Sequence, residues 1–141
     1  MPREEKVMNE AIELSHEGIV ANEGGPFGCV VVKNNVIVGR GNNKVMSEND
    51  PTAHAEIVAI RDACKTLGTF QLLDCEIYSS CEPCPMCLGA IYWARPKIIY
   101  FANTRADAAN IGFDDSMIYE EINIEPNERK IPAENLCRED A

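Results

Sequence analysis

Apolar residues recur in the first part of the chain at the spacing of an amphipathic helix. Val7, Ala11, Leu14 and Gly18 follow one another at intervals of three or four residues, which places them on one helical face. The pattern predicts a helix over residues 3 to 22 that ends before two consecutive glycines. One side of this helix should therefore pack against a core.

Two runs of β-branched residues follow in the segment FGCVVVKNNVIVGRGN, at residues 27 to 42. They are separated by Asn34 and Asn35, a residue type that tolerates the positive φ of a tight turn. The segment therefore predicts a β-hairpin.

Helical and extended patterns then alternate along the chain. Asp50 and Pro51 are typical of a helix start, and apolar residues continue at helical spacing as far as Gly68, which predicts a helix from about 51 to 67. DCEIYSS predicts a strand, PMCLGAIYWA a short helix and KIIYFAN another strand. Such alternation implies crossover connections and a partly parallel sheet with helices on its faces.

The pattern weakens after the last predicted strand. Short helices are predicted near residues 105 to 110 and 115 to 121, and the final fifteen residues are polar. We expect a single domain over residues 1 to 141, because this length suffices for one substantial core and not for two. Residues from about 125 to 141 would form a C-terminal tail, either docked or disordered.

Composition narrows the class of protein. Hydrophobic residues make up 45% and charged residues 26% of the chain, which is typical of soluble globular proteins. The first residues lack the pattern of a secretory signal, and no apolar run approaches the roughly 20 residues of a membrane span. Seven cysteines, an odd number, favour a cytoplasmic protein whose thiols are free or bind metal. We expect no membrane partner.

The net charge of −10 bears on the choice of partner. A negative net charge opposes binding of any ligand that must be held through phosphates, although a negative protein can still carry a local basic patch. Nucleic acid is therefore disfavoured as a partner. A neutral small molecule would meet no such penalty.

Cys81, Cys84 and Cys87 lie at equal intervals within the segment SCEPCPMC. They could share one metal, hold an iron–sulfur cluster, exchange disulfides or have separate roles. Cys84 would be the N-cap of the following helix and Cys87 would lie in its first turn, where unpaired N–H groups and the helix dipole favour thiolates. Cys81, on the preceding strand, need not face the same way.

His54 is the histidine with ligand-like company, since His16 is expected to be an ordinary residue of the first helix. His54 and Glu56 lie together in HAE near a predicted helix start. His54, Cys84 and Cys87 would form a three-ligand zinc site with an open position for water, as catalytic zinc sites have.

Neither motif is decisive alone. C-x-x-C also suits a redox pair or half of a structural zinc knuckle, and a histidine on a helix surface is commoner than a ligand. The two motifs together, in this order and each at a helix start, match the H-x-E and P-C-x-x-C signature of zinc deaminases.

Several separated blocks extend this match over roughly residues 5 to 130. GGPFGCVVV, NDPTAHAEIVAIRDACKTLG, SCEPCPMCLGAIYWARPKIIYFA and DAANIGFDDSMIYEEI resemble the bacterial guanine deaminases of the cytidine deaminase-like superfamily. The resemblance implies an α/β fold with three α/β/α layers around a mixed five-stranded sheet. It also implies one Zn²⁺ per subunit, a homodimer, and hydrolytic deamination of a free nucleobase, with guanine giving xanthine and ammonia.

The resemblance assigns roles to individual residues. It implies that zinc is held by His54, Cys84 and Cys87, and that Glu56 shuttles protons between the attacking water, a ring nitrogen and the departing amine. It assigns contacts with the base to four residues: Asn43, Asp115, Phe27 and Trp93.

Each substrate-binding assignment has a structural alternative. Asn43 could simply form a turn, and Asp115 could cap a helix. Phe27 and Trp93 could stack on the base or belong to the core. The side chain of Glu82 is expected to be structural.

The C-terminal segment departs from the family pattern, because the chain has no aromatic residue beyond Tyr119. Family members carry a longer segment, swapped between subunits, whose terminal aromatic residue closes the active site. We therefore expect that another element covers the pocket, that the substrate differs, or that the chain is truncated.

Three alternatives to guanine deamination remain. Another base or aminated ring could be the substrate, including cytosine, isocytosine or a triazine. A tRNA adenosine deaminase is disfavoured by the net charge and by the acidic segment YEEINIEPNE, since tRNA docking needs a basic surface. An inactive zinc scaffold is disfavoured by Glu56, because a structural zinc needs no proton shuttle.

Overall fold

The computed structural model describes all 141 residues. The elements in chain order are α1 Arg3–Val20, β1 Gly28–Lys33, β2 Val36–Asn42, α2 Val45–Glu48, α3 Ala55–Leu67, β3 Cys75–Cys81, α4 Pro85–Ala94, β4 Ile98–Asn103, α5 Arg105–Asn110, α6 Ser116–Ile122 and a short 3₁₀ helix Pro126–Glu128. The four strands form one mixed sheet in the order β2-β1-β3-β4. The pairs of β1 with β2 and with β3 are antiparallel, and β3 and β4 are parallel.

Alternation of side chains along β1 divides the core between the two faces of the sheet. Val30 and Val32 pack with Tyr78 and with Ala11 of α1 on one face. The opposite face of the sheet packs against α3 and α4 through a larger cluster of buried residues: Cys29, Val31, Ala55, Ala59, Ala63, Leu72, Cys75, Ile77, Ile91 and Ala94. The predicted three-layer α/β/α arrangement is therefore confirmed.

The hairpin between β1 and β2 has the turn that the sequence predicts. Asn34 and Asn35 have φ values of 49° and 63°, and Lys33 pairs with Val36 on either side of them. The positive φ values match the right-handed twist of the paired strands. The predicted partly parallel sheet is also confirmed, because α4 crosses over between β3 and β4.

The sheet has four strands, so the prediction of five was wrong. After β4 the chain turns directly into α5, because Thr104 and Asp107 form a capping box. The Thr104 hydroxyl accepts from the Asp107 N–H at 3.2 Å, and the Asp107 carboxylate accepts from the Thr104 N–H at 2.9 Å. The later residues add α6 and a 3₁₀ helix, and the outer edge of β4 has no paired strand.

Helix α3 starts later than the predicted residue 51, which changes the position of His54 relative to the helix. The Asp50 carboxylate accepts from the N–H of Thr52 at 2.9 Å, which closes a local turn instead of a helix start. The helix begins at Ala55, and His54 is its N-cap. None of the helices combines the length and the apolar character needed to cross a membrane.

Candidate metal centre and active site

Two helix starts meet at one end of the sheet and carry the side chains of the candidate metal centre. His54 is the N-cap of α3, and Cys84 is the N-cap of α4 with a proline following it. The predicted placement of Cys84 and Cys87 at the start of a helix is thereby confirmed. The Cys84 thiol accepts from the Cys87 N–H at 3.5 Å, so the helix start itself orients the sulfur.

The three side chains lie at metal-ligand spacing. His54 Nδ1 is 3.4 Å from Cys84 Sγ and 3.5 Å from Cys87 Sγ, and all three ligand atoms lie within 4.8 Å of one another. Tetrahedral zinc, with Zn–S near 2.3 Å and Zn–N near 2.0–2.1 Å, separates nitrogen from sulfur by about 3.6 Å. The donor set and its spacing therefore fit zinc with three protein ligands.

The charges of these groups also suit a cation. Hydrogen bonding from the Cys87 thiol and from His54 lowers the pKa of Cys84 to about 4. The same bond with Cys84, together with burial, raises the pKa of Cys87. The pair therefore shares one proton and carries one negative charge at neutral pH, and a bound metal would displace the remaining proton.

Cys81 does not belong to this cluster. Its thiol donates to the carbonyl oxygen of Thr104 at 3.8 Å, and burial raises the pKa of Cys81 to about 11. Its sulfur is engaged with a backbone carbonyl and is not among the ligand atoms that cluster with His54. The equal spacing of the three cysteines in the sequence does not correspond to a shared site.

Glu56 lies in the first turn of α3 and is 6% exposed. Burial raises the pKa of its carboxyl group, which brings the group closer to the pH range in which it can both accept and release a proton. A charged group in this position needs a function to balance the cost of its burial.

A cavity of about 470 Å³ opens over the metal centre, within the roughly 300–1,000 Å³ typical of small-molecule sites. It brings together five of the predicted site residues. Its lining includes Phe27, His54, Glu56, Cys84 and Asp115. Cys87 lies behind this surface and is fully buried.

One wall of the cavity is aromatic. Phe27 contacts Phe113 edge to face, with ring centroids 5.0 Å apart. Both rings line the cavity, so a flat heterocycle could pack against them. Sequence reasoning missed Phe113, since it precedes the acidic pair Asp114 and Asp115 in a loop with no periodic pattern.

Asp115 lies at the N-cap of α6, but its carboxylate makes no capping hydrogen bond. The local bond to Ser116 N–H, at 2.9 Å, comes from Asp114 instead. Helix capping therefore does not occupy the Asp115 side chain, which faces the cavity.

Asn43 lies beside the cavity and outside its lining. Its N–H donates to the carbonyl oxygen of Phe27 at 3.2 Å, and its side-chain oxygen accepts from the Val45 N–H at 3.0 Å. Asn43 thus stabilises a turn next to the site, and its amide oxygen is already engaged.

Trp93 is not at the site, and its predicted role in walling the pocket needs correction. It lies near the C-terminal end of α4, whereas the metal centre is at the N-terminal end. It is 79% exposed and does not line the cavity. A residue nine positions after Cys84 lies about 13 Å further along a helix, which explains the separation.

Sequence reasoning also missed Arg105, which lines the cavity. Its backbone N–H donates to the Glu82 carboxylate at 3.1 Å, so the side chain of Glu82 has a structural role, as predicted. The segment TRAD indicated only a helix start, and nothing in the pattern pointed to a site residue.

The sequence of this chain is similar to those of a known protein family. The family model described as the cytidine and deoxycytidylate deaminase zinc-binding region matches residues 1–103. A guanine deaminase of Bacillus subtilis (strain 168) is 58% identical over 128 residues, which are 91% of this chain and 82% of that protein.

Two further comparisons give the range of similarity. An X-ray structure of guanine deaminase from Bacillus subtilis superposes with a TM-score of 0.92 at 56% identity, covering 94% of this chain and 84% of the other. A tRNA-specific adenosine deaminase of Buchnera aphidicola subsp. Schizaphis graminum is 38% identical over 106 residues, which are 75% of this chain and 68% of that protein. Similarity is thus much greater to the guanine deaminase.

Proposed function

Because the chain belongs to the cytidine and deoxycytidylate deaminase family, we propose that it catalyses the zinc-dependent hydrolytic deamination of guanine to xanthine and ammonia. Its 141 residues act as one zinc-dependent deaminase domain. The observation that carries the proposal is the placement of buried Glu56 and the cluster of His54, Cys84 and Cys87 at a single cavity. The choice of guanine is supported by the 58% identical guanine deaminase.

His54, Cys84 and Cys87 would hold the metal, and the cavity opens beside His54 and Cys84. When bound, zinc supplies Lewis-acid activation of the attacking water. Glu56 accepts a proton from that water, delivers a proton to a ring nitrogen next to C2 of guanine, and finally protonates the departing amine. The overall balance is guanine plus water giving xanthine plus ammonia.

The other cavity residues hold the base. Phe27 packs against one side of the ring system, supported by its edge-to-face contact with Phe113. The Asp115 carboxylate accepts hydrogen bonds from N–H groups of guanine, which an ionised carboxylate can do and a hydrocarbon wall cannot. Asn43 is not part of the lining but adjoins it at Phe27, to whose carbonyl oxygen its backbone N–H donates. We propose that its side-chain N–H reaches the base from there, since its side-chain oxygen is bonded to Val45.

The active form is proposed to be a homodimer. Tyr92 and Trp93 of α4 are 68% and 79% exposed, and Ile98 and Phe101 of the edge strand β4 are 41% and 47% exposed. Exposed apolar surface beside an unpaired strand edge is typical of an interaction site. Light scattering coupled to size-exclusion chromatography would measure the mass in solution.

A cytoplasmic location is supported by the cysteines, all seven of which are free. Unpaired thiols are typical of proteins kept in a reducing compartment. The reaction would place the protein in purine breakdown.

Ammonia release by the zinc-loaded protein tests the proposed reaction. Guanine, cytosine, adenine, isocytosine and aminated triazines should be compared at equal concentrations, with guanine expected to give the highest kcat/KM. A higher value for another base would reassign the substrate. If no base releases ammonia and tRNA yields inosine, the proposed function fails.

A further inference from the structure

Arg105 is the only lysine or arginine among the residues that line the cavity, and it lies among four acidic residues. These are Glu56, Glu82, Asp114 and Asp115. Of these four, Asp115 forms an ion pair with the Arg105 side chain, and Glu82 accepts from the Arg105 backbone N–H. Arg105 is therefore placed to hold an acidic side chain of the cavity in a fixed orientation.

Two contacts hold Arg105 in place apart from its pairing with Asp115. Its N–H donates to the Glu82 carboxylate, which anchors the start of α5. Its guanidinium carbon lies 3.7 Å from the centroid of the Tyr119 ring, within the range of a cation–π contact. The planar guanidinium is thus stacked on an aromatic face, which limits its rotation.

The Nε atom of Arg105 lies close to the Asp115 carboxylate. It is buried and has no hydrogen-bond partner, and it lies 3.5 Å from Asp115 Oδ1. This is about 0.6 Å beyond the ~2.9 Å of a typical charge-assisted hydrogen bond. A small displacement would therefore satisfy both groups.

Asp115 has no competing partner that would set its orientation. Its carboxylate makes no capping hydrogen bond to α6, and its one ion pair is with Arg105. Without Arg105, the side chain would be free to rotate towards solvent or towards the N–H groups at the start of α6.

We propose that Arg105, stacked on Tyr119, is a positioning residue that holds the Asp115 carboxylate at the cavity wall, in the orientation that receives the N–H groups of the base. The proposal rests on the proposed function, because it assigns Asp115 to substrate binding. Arg105 acts on the base through Asp115 and does not itself contact the reacting atoms.

A double-mutant cycle tests whether Arg105 acts through Asp115. Arg105→Gln, Asp115→Asn and the double variant are compared with the wild type in guanine deamination. We expect Arg105→Gln to lower kcat/KM about tenfold, mainly through KM, as coupling energies between contacting residues allow. In the Asp115→Asn background the same substitution should have no further effect.

Two further variants, one at Tyr119 and one control, extend the double-mutant cycle. Tyr119→Leu should change KM in the same direction as Arg105→Gln, since it removes the ring that holds the guanidinium. Arg40→Gln removes an exposed arginine of β2 whose side chain makes no hydrogen bond or ion pair, and it should behave as the wild type. Zinc content and thermal unfolding of all variants exclude losses of activity that come from misfolding.

Additive effects of Arg105→Gln and Asp115→Asn would overturn the proposal. Failure of the wild type to deaminate guanine would instead overturn the proposed function. The positioning role would then be decided by a crystal structure of Arg105→Gln, which does not depend on turnover. An Asp115 carboxylate that keeps its wild-type orientation in that structure would contradict the proposal, and a rotated one would support it.

Discussion

Gly41 and Ala55 lie so close together that a Cβ atom on Gly41 would be 2.4 Å from the carbonyl oxygen of Ala55. The contact joins β2 to the first turn of α3, where His54 is the N-cap and Glu56 follows. Because the obstructing atoms belong to the backbone, no side-chain rotation could relieve the clash. The close approach of strand and helix therefore fixes the start of the helix that carries the candidate ligand and the candidate proton shuttle.

Gly41→Ala should accordingly destabilise the protein and weaken metal binding together. Forced insertion of a methyl group into a packed interior costs typically ~1–3 kcal/mol, and a backbone clash belongs near the upper end. We expect a lower free energy of unfolding in urea and a lower zinc affinity in competition with a chelator.

Gly89→Ala is the matched control for this substitution. Gly89 lies on the exposed side of α4, and a Cβ atom there would meet nothing within 4 Å. Alanine is favoured over glycine inside a helix by ~0.5–1 kcal/mol, so this variant should be more stable than the wild type. Because Gly89 shares a helix face with Tyr92 and Trp93, the comparison is made at equal mass in solution, measured by light scattering. Equal effects of the two substitutions on the free energy of unfolding and on zinc affinity would show that the contact with Ala55 does not cause them.

Replacing Cys81, Cys84 and Cys87 by alanine, one at a time, should distinguish the cysteines that bind zinc from the one that does not. Cys84→Ala and Cys87→Ala should lose most of the bound zinc, because each removes one of three proposed ligands. Cys81→Ala should retain most of it, since the Cys81 thiol is bonded to the Thr104 carbonyl. Elemental analysis of the purified variants measures this, and stoichiometric zinc in Cys87→Ala would contradict the ligand assignment.

Local sequence signals predicted the parts of the fold that depend on local chemistry. Asn34 and Asn35 predicted the hairpin turn because their positive φ values are rare for other residues. Pro85 after Cys84 predicted the helix start that carries two thiols. The metal cluster could be predicted because its residues are chemically distinctive and each lies at a helix start.

Features that depend on contacts between distant segments were not predictable in this way. Trp93 is not such a feature, because its distance from the cavity follows from its place nine residues beyond Cys84 on the predicted helix. The contact of Arg105 with Tyr119 and Asp115 joins the start of α5 to α6 and the residue before it. The fifth strand was expected from resemblance alone, and the residues after β4 form helices.

Glu56→Gln should show whether the protein is an enzyme or an inactive zinc scaffold. Glutamine keeps the size of the side chain but cannot accept and deliver a proton, so activity should fall by at least ~10²-fold. Zinc content should be unchanged because Glu56 is not among the clustered ligand atoms. A variant that retains full activity would exclude Glu56 as the proton shuttle.

The ion pair between Arg3 and Glu76 should make stability depend on pH in the acid range. The Glu76 carboxylate, 9% exposed, accepts from two nitrogens of Arg3 at 2.9 and 3.0 Å and from the Tyr78 hydroxyl at 3.1 Å. The bonds from Arg3 lower the pKa of Glu76. A lowered pKa stabilises the folded state above the unfolded value of about 4.3, and this contribution is lost as the pH falls through the folded value.

Arg3→Gln should therefore lower the free energy of unfolding at pH 7, and its difference from the wild type should shrink as the pH falls below about 4. Lys6→Gln is the control, since Lys6 is an exposed residue of the same helix without an ion pair. It removes the same charge and should show no such convergence. Urea unfolding of the three proteins at several pH values measures these differences, and a constant gap between Arg3→Gln and the wild type would exclude Glu76 as the titrating group.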